Sequence, residues 1–376
     1  MNRISRVVLI LCACFASAAW GQQPAGNCCN HWSQFHRYNM KRWNPHEHVL
    51  NVNNVGSLSL KWSYTTGSWI ISSPAVTNGM VFAGSYDHSV YALNAKTGTK
   101  LWSYPTGNYV SSSPAVANGA VYVGSFDGNV YALNASTGAK LWSYTTGNQI
   151  YGSPTVVDGV VYVGSEDSHL YALNASSGAA LWSYPTDGNY VDSSPAVVDG
   201  VVYVSSESGY TYALNARTGR LRWRFVSGQA VSSPAVANGA VYVGSADGTL
   251  YALKANTGTR LWSYKAGDTI FSSPAVANGV VYVGSDDGSL YALKASTGVK
   301  LWSFTTGGQV FSSPAVANGV VYVGSGDTNV YALNASTGAK LWSYTTGSYV
   351  ASSPVVANGV VYFGSEDAKI YAFGLK

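Results

Sequence analysis

SSPAVANGAVYVGSFDGNVYALNASTGAKLW, residues Ser112–Trp142, recurs with small edits about every 40 residues to the end of the chain. Its proline returns at Pro74, Pro114, Pro154, Pro195, Pro234, Pro274, Pro314 and Pro354, and its closing tryptophan at Trp62, Trp102, Trp142, Trp182, Trp223, Trp262, Trp302 and Trp342. A fixed period of this length marks an array of supersecondary units, each burying its core only against its neighbours. The unit divides into four short strands. Pro114–Ala117 reads as strand A, Val121–Val123 as B, Val130–Leu133 as C and Lys140–Tyr144 as D. Between A and B stands Asn118-Gly119, and all eight repeats carry Asn-Gly or Asp-Gly there. That dipeptide accommodates positive φ at both central positions of a tight hairpin.

Four antiparallel strands per 40 residues make the blade of a β-propeller, and no helical period appears after residue 60. Strands A to C occur eight times, yet the last unit ends at Lys376 without its tryptophan strand. The first tryptophan strand, Leu60–Tyr64, precedes the first proline unit. The N-terminal strand is therefore expected to complete blade eight, which removes two open sheet edges. The expected fold is all-β: an eight-bladed β-propeller of four-stranded antiparallel blades over residues 60–376, and a monomer.

The run Ala132-Leu133-Asn134-Ala135-Ser136-Thr137-Gly138-Ala139-Lys140-Leu141-Trp142 resembles the tryptophan-docking motif of pyrroloquinoline-quinone (PQQ) type propellers, Ala-x-Asp-x-x-Thr-Gly-x-x-x-Trp. This chain mostly has asparagine where the family often has aspartate. The resemblance covers residues 60–376 and implies tryptophans packed between blades. The family includes quinoprotein alcohol dehydrogenases, the outer-membrane assembly lipoprotein BamB and secreted proteins without known activity, so it implies a fold more than a function. The adjacent Cys28-Cys29 resembles the vicinal disulfide over the quinone in some family enzymes, but it stands before the propeller.

Residues 1–21 read as a secretory signal: a basic start, Met1–Arg6, an apolar run, Val7–Ala19, and small residues before Gln22. Export to the periplasm or the exterior is expected, with lipidation at the box-like Leu11-Cys12-Ala13-Cys14 the weaker reading. Residues 22–59 form a non-repeating extension expected to cross the ring and dock by Trp32, Phe35 and Trp43. Cys28, Cys29, His31, His36, His46 and His48 crowd there, as donors for zinc or copper, though no standard ligand spacing is matched.

The formal net charge is only +4, and no basic stripe with interleaved aromatics appears, which argues against nucleic acid as a partner. The blades are so alike that their differences stand out. The A–B and C–D turns, on one face of the disc, are monotonous; the B–C turns and blade-to-blade D–A connections, on the other, vary. Five residues before the prolines stand Trp69, Tyr109, Tyr190 and Tyr349; three before stand Tyr151, Asp192, Phe271 and Phe311. A scaffold needs the same residues in every blade and a ligand does not, so these eight are the candidate ligand-binding residues. Aspartates recur in the B–C turns, where Asx-turns account for them better than a cation-steering rim. The ring of serines before the prolines has no histidine partner in its repeat and is expected to bond backbone or channel water. A quinoprotein dehydrogenase needs carboxylate and amide metal ligands that break blade symmetry, and Asp192 is the one isolated acid at the channel side. The reading is an exported, non-enzymatic scaffold that binds protein, peptide or glycan on the variable face. No catalytic residue and no cofactor is expected. The alternatives are a PQQ- and calcium-dependent dehydrogenase or a BamB-like assembly factor.

Overall fold

The computed structural model describes residues 31–37, 39–229 and 232–376. The signal region, residues 1–21, and Cys28 and Cys29 lie outside them. Eight four-stranded antiparallel sheets follow one another around an axis. In blade 2, strand A is Ala115–Ala117, B is Ala120–Gly124, C is Asn129–Asn134 and D is Lys140–Thr145. The Asn-Gly turns form as the sequence requires, with φ of 50° at Asn118 and 77° at Gly119. The ring closes as expected: Ser59–Thr65 pairs antiparallel with Lys369–Gly374, so the first long strand is the outermost strand of blade 8. Among the described residues no helix is long and apolar enough to cross a membrane.

The core lies between blades rather than within them. Around Trp102, Phe82 and Val90 of blade 1 pack with Val121, Val123 and Leu133 of blade 2. Each tryptophan donates its Nε1–H across the seam, as Trp102 does to Ala135 O at 2.9 Å. The Thr-Gly of the motif explains itself here: Gly138 has φ of 72°, and a Cβ on it would stand 2.7 Å from the Trp102 ring. Strand D of blade 8 is Ser59–Thr65, so no C–D turn joins it to strand C. Trp342 donates instead to Leu58 O at 3.2 Å, so the residue entering the closing strand stands in for the missing turn.

A second seam contact pairs a strand-B glycine with the residue four before the next proline. A Cβ on Gly124 would stand 2.2 Å from Cγ2 of Ile150, and Gly84 meets Val110 in the same way. Blade 4 carries Ser205 in place of that glycine, and the matching residue in the chain is Ala230 rather than valine or isoleucine.

Two devices satisfy the inner strands. Ser73 N–H donates to Ser113 Oγ, Ser113 to Ser153, Ser153 to Ser194, Ser194 to Ser233, Ser233 to Ser273, Ser273 to Ser313, Ser313 to Ser353 and Ser353 back to Ser73. This is a closed circuit of eight hydrogen bonds about the axis, in which serine bonds backbone as expected. Nearer the A–B turns, residues 32–37 and 39–44 occupy the channel. The backbone of Trp32 exchanges two bonds with Val76; Ser33 O accepts from Val116, and Gln34 Oε1 from Val156. Met40, Lys41 and Arg42 offer successive carbonyls to Val236, Val276 and Val316, and Asn44 Nδ2 donates to Val356 O. Successive carbonyls of an extended chain point to opposite sides. Left-handed φ at Met40 and Arg42, 54° and 50°, turns these three the same way.

Trp32 is fully buried, while Phe35 and Trp43 are half-buried. Trp43–Asn44 adds a short parallel strand to blade 7. The centre of the plug is a side chain the sequence reading passed over. Arg42 is fully buried; it donates to the carbonyls of Pro314, Ser313, Pro354 and Phe35 and lies 4.5 Å from the Phe35 ring centroid. Burial lowers its pKa to about 9.

Two outcomes are expected on urea denaturation. Gly124→Ala lowers stability by about 1–3 kcal/mol, and combining it with Ile150→Ala gives a loss smaller than the sum of the single losses. Arg42→Met leaves inward carbonyls without a donor and costs about 3 kcal/mol.

Candidate functional site

The variable face is held by bonds that repeat. In each blade the first B–C residue donates its N–H to the carbonyl five before the proline: Tyr86 to Trp69 at 3.0 Å, Phe126 to Tyr109 at 2.9 Å, Glu207 to Tyr190 at 3.0 Å. The recurrent aspartate ties the same two loops. Asp127 Oδ2 accepts from Gly107 N–H at 2.6 Å and from the Tyr131 hydroxyl at 2.7 Å, and Asp127 Oδ1 accepts from Asn129 N–H, an Asx-turn. Burial alone raises the Asp127 pKa, but these donors outweigh it and hold the carboxyl below its ordinary range. The aspartates are structural, as the Asx-turn reading expected.

Blade 4 solves the same problem differently. Ser208 stands in the aspartate position, and Asp187, within the lengthened D–A connection, accepts from the Tyr212 hydroxyl at 2.7 Å and from Arg224 Nη1 at 2.6 Å. The insertion and the lost aspartate are one exchange.

Residues beyond this framework are free to differ. Trp69, Tyr109, Tyr151, Tyr190, Phe271 and Tyr349 are 42–53 % exposed, and Phe311 is half-buried. Three of them belong to one surface. Trp69 lies 6.1 Å from Tyr86, Tyr86 stacks on Tyr109 at 4.8 Å and 9°, Tyr86 and Tyr109 each lie 6.1 Å from Phe126, and Phe126 lies 5.7 Å from Tyr151. Tyr86 and Phe126 complete the surface and were absent from the candidate set. Their signal was the variable first position of the B–C turn. Phe271 and Phe311 pair separately at 5.8 Å, and among the described residues Tyr190 and Tyr349 join neither group.

Carboxylates flank the rings. Asp192 is half-buried, and its Oδ1 is buried without a hydrogen-bond partner among the described residues. Burial, then Glu166 and Glu207, raise its pKa to about 7. Glu166 is raised by burial and by Glu207, and Glu366, on blade 8, by burial. Burial, then Tyr151 and Glu366, push the Tyr86 phenol up to about 12. The three variable positions of each blade include no lysine or arginine anywhere around the ring.

The histidines of the extension lie in and under the plug, on the opposite face. His36 is fully buried, with Nε2 3.3 Å from Ser194 O, and burial together with Arg42 lowers its pKa to about 3. His46 is half-buried and His48 exposed. Among the described residues no three of His, Cys, Asp and Glu lie close enough to hold a metal ion, and Cys28 and Cys29 fall outside them.

A family model described as outer membrane protein assembly factor BamB, built on the PQQ-like repeat, matches residues 57–113, 106–195, 186–273 and 265–376. The chain belongs to this family. No curated protein matches the sequence. Among solved structures, a europium-containing methanol dehydrogenase is similar at 17 % identity and a TM-score of 0.77, covering 92 % of this chain and 98 % of that one. The quinohemoprotein alcohol dehydrogenase from Comamonas testosteroni is similar at 17 % identity and a TM-score of 0.79, covering 92 % and 80 %. BamB from Moraxella catarrhalis is similar at 21 % identity and a TM-score of 0.72, covering 84 % and 99 %. At these identities the likeness is one of fold.

Some PQQ-family propellers hold the quinone with a calcium ion. PQQ is a tricarboxylate and needs cationic clamps. The three variable positions of the loops present Asp192, Glu166, Glu207, Asp286 and Glu366 and no arginine or lysine, and Arg224 nearby is already paired with Asp187, so the donor set does not fit the group.

A carboxyl with a folded pKa near 7 and an ordinary value of 3.8 binds more protons folded than unfolded between those pH values. Its contribution to stability therefore falls as pH rises through that window. Asp192→Asn is expected to flatten the decline in melting temperature between about pH 5 and about pH 8, read by scanning fluorimetry.

Proposed function

We propose that this protein is an exported, non-enzymatic binding module of the PQQ-like propeller family, with its ligand seated at the mouth formed by the B–C turns and D–A connections. One observation carries the reading: a contiguous aromatic surface, Trp69–Tyr86–Tyr109–Phe126–Tyr151, stands partly exposed on the face where the blades differ. The scaffold does not require it, since the matching positions of blade 5 are Gln229 and Ala246 and blade 7 has Gln309 and Gly326. Exposed contiguous aromatic surface of this kind marks a contact site. The opposite end of the channel is occupied by the protein's own residues 32–37 and 39–44, which favours this mouth as the place for a ligand.

The acidic donor set disfavours a quinone dehydrogenase, and the match to the BamB model favours envelope interaction work. The signal-like residues 1–21 support export. The test is binding to arrayed peptides and oligosaccharides, comparing the wild type with Trp69→Ala/Tyr109→Ala/Tyr151→Ala. Ligands held by the wild type are expected to lose at least about tenfold in affinity while the melting temperature stays within about 2 °C, because these side chains are exposed. Unchanged capture, or alcohol oxidation by the wild type supplied with PQQ and calcium, rejects the reading.

A further inference from the structure

We propose that the mouth takes a basic peptide segment, laid across the aromatic surface with arginine side chains reaching the carboxylates at its two ends. The proposal rests on the mouth being the ligand site and adds the chemistry of the ligand. The rings run from blade 1 to blade 3. Glu366 of blade 8 lies beyond one end, and Glu166, Asp192 and Glu207 of blades 3 and 4 lie at the other. Acid therefore brackets the rings.

Rings alone serve sugars, apolar side chains and guanidinium groups alike. The charges discriminate among these. Glu166 and Glu207 both act on Asp192, and none of the variable positions supplies a cation to offset them. A neutral oligosaccharide could stack on Tyr109 and leave that repulsion standing; an anionic ligand would add to it. A cationic ligand relieves it on binding, and Asp192 Oδ1, buried without a partner among the described residues, is an acceptor awaiting a donor. Arginine meets both demands. Its planar, weakly hydrated guanidinium stacks on aromatic faces and presents paired N–H groups to a carboxylate, whereas the lysine ammonium is a compact, strongly hydrated charge. A segment with arginines on either side of an apolar stretch matches acid on either side of the rings.

The probe is a synthetic peptide of that pattern, titrated calorimetrically into the full chain. Its controls are the same peptide with citrulline for arginine, the same with lysine, an acidic peptide and neutral oligosaccharides. The arginine peptide is expected to bind, to weaken as ionic strength rises toward about 1 M, and to lose about tenfold or more with citrulline, with lysine in between. Tyr109→Ala and Glu166→Gln/Asp192→Asn/Glu207→Gln should each cost about tenfold. Should the triple carboxylate variant fail to fold, the citrulline comparison and Tyr109→Ala decide alone. Equal binding of the citrulline peptide, or no binding of the arginine peptide, overturns the proposal. A neutral oligosaccharide held by the wild type and released by Trp69→Ala/Tyr109→Ala/Tyr151→Ala sinks the basic-peptide proposal while leaving the mouth as the ligand site. If no probe responds to any mouth variant, the mouth reading fails as well.

Discussion

Eight three-residue strands face a common axis, each with one edge that no strand of its own blade can pair. Buried backbone N–H and C=O groups must find partners, and that requirement governs the centre of this molecule. The serine circuit meets it at one level, each serine hydroxyl accepting from the blade before it, so that the circuit closes only with all eight in place. The plug meets it at another, bonding the inner edge of each blade in turn through backbone and side-chain groups. The apolar faces hold neighbouring blades together, and the polar axis ties all eight to one centre.

That division explains what could be read from the sequence. The period, the Asn-Gly turns and the displaced tryptophan strand specified eight blades and their closure, because each is a repeated local preference. The plug was legible only as a non-repeating segment with three aromatic anchors. Its main work is done by backbone carbonyls and by Arg42, which have no pattern in sequence. At the mouth, Trp69, Tyr109 and Tyr151 were found because they vary, while Tyr86 and Phe126 were missed because adjacency across blades depends on ring orientation. The exchange in blade 4 of Ser208 with Asp187 had both halves visible, but only the pairing across a loop shows that it is a single adjustment.

The mouth can differ between blades because the bonds beneath it do not. A backbone bond from the B–C turn to the D–A connection, with a carboxylate capping the same pair of loops in most blades, leaves three side chains per blade with little structural duty. Substitution at those points alters the chemistry offered to a ligand at small expense to the frame. The coupled acids show that not all of this freedom is used for stability: Asp192 with Glu166 and Glu207 is an unfavourable arrangement on its own.

The bond between Ser59 and Gly374 joins residues 315 positions apart. A polypeptide made from its amino end must carry an unmatched ribbon, with the exposed Leu60 on it, until Lys369–Gly374 has been made. Until then the growing arc has two raw margins, the sort of edge on which chains adhere to one another. Formation of the strand Lys369–Gly374 is thus the event that converts an open arc into a closed wheel, and without that strand every finished blade would stand in an arc that cannot shut.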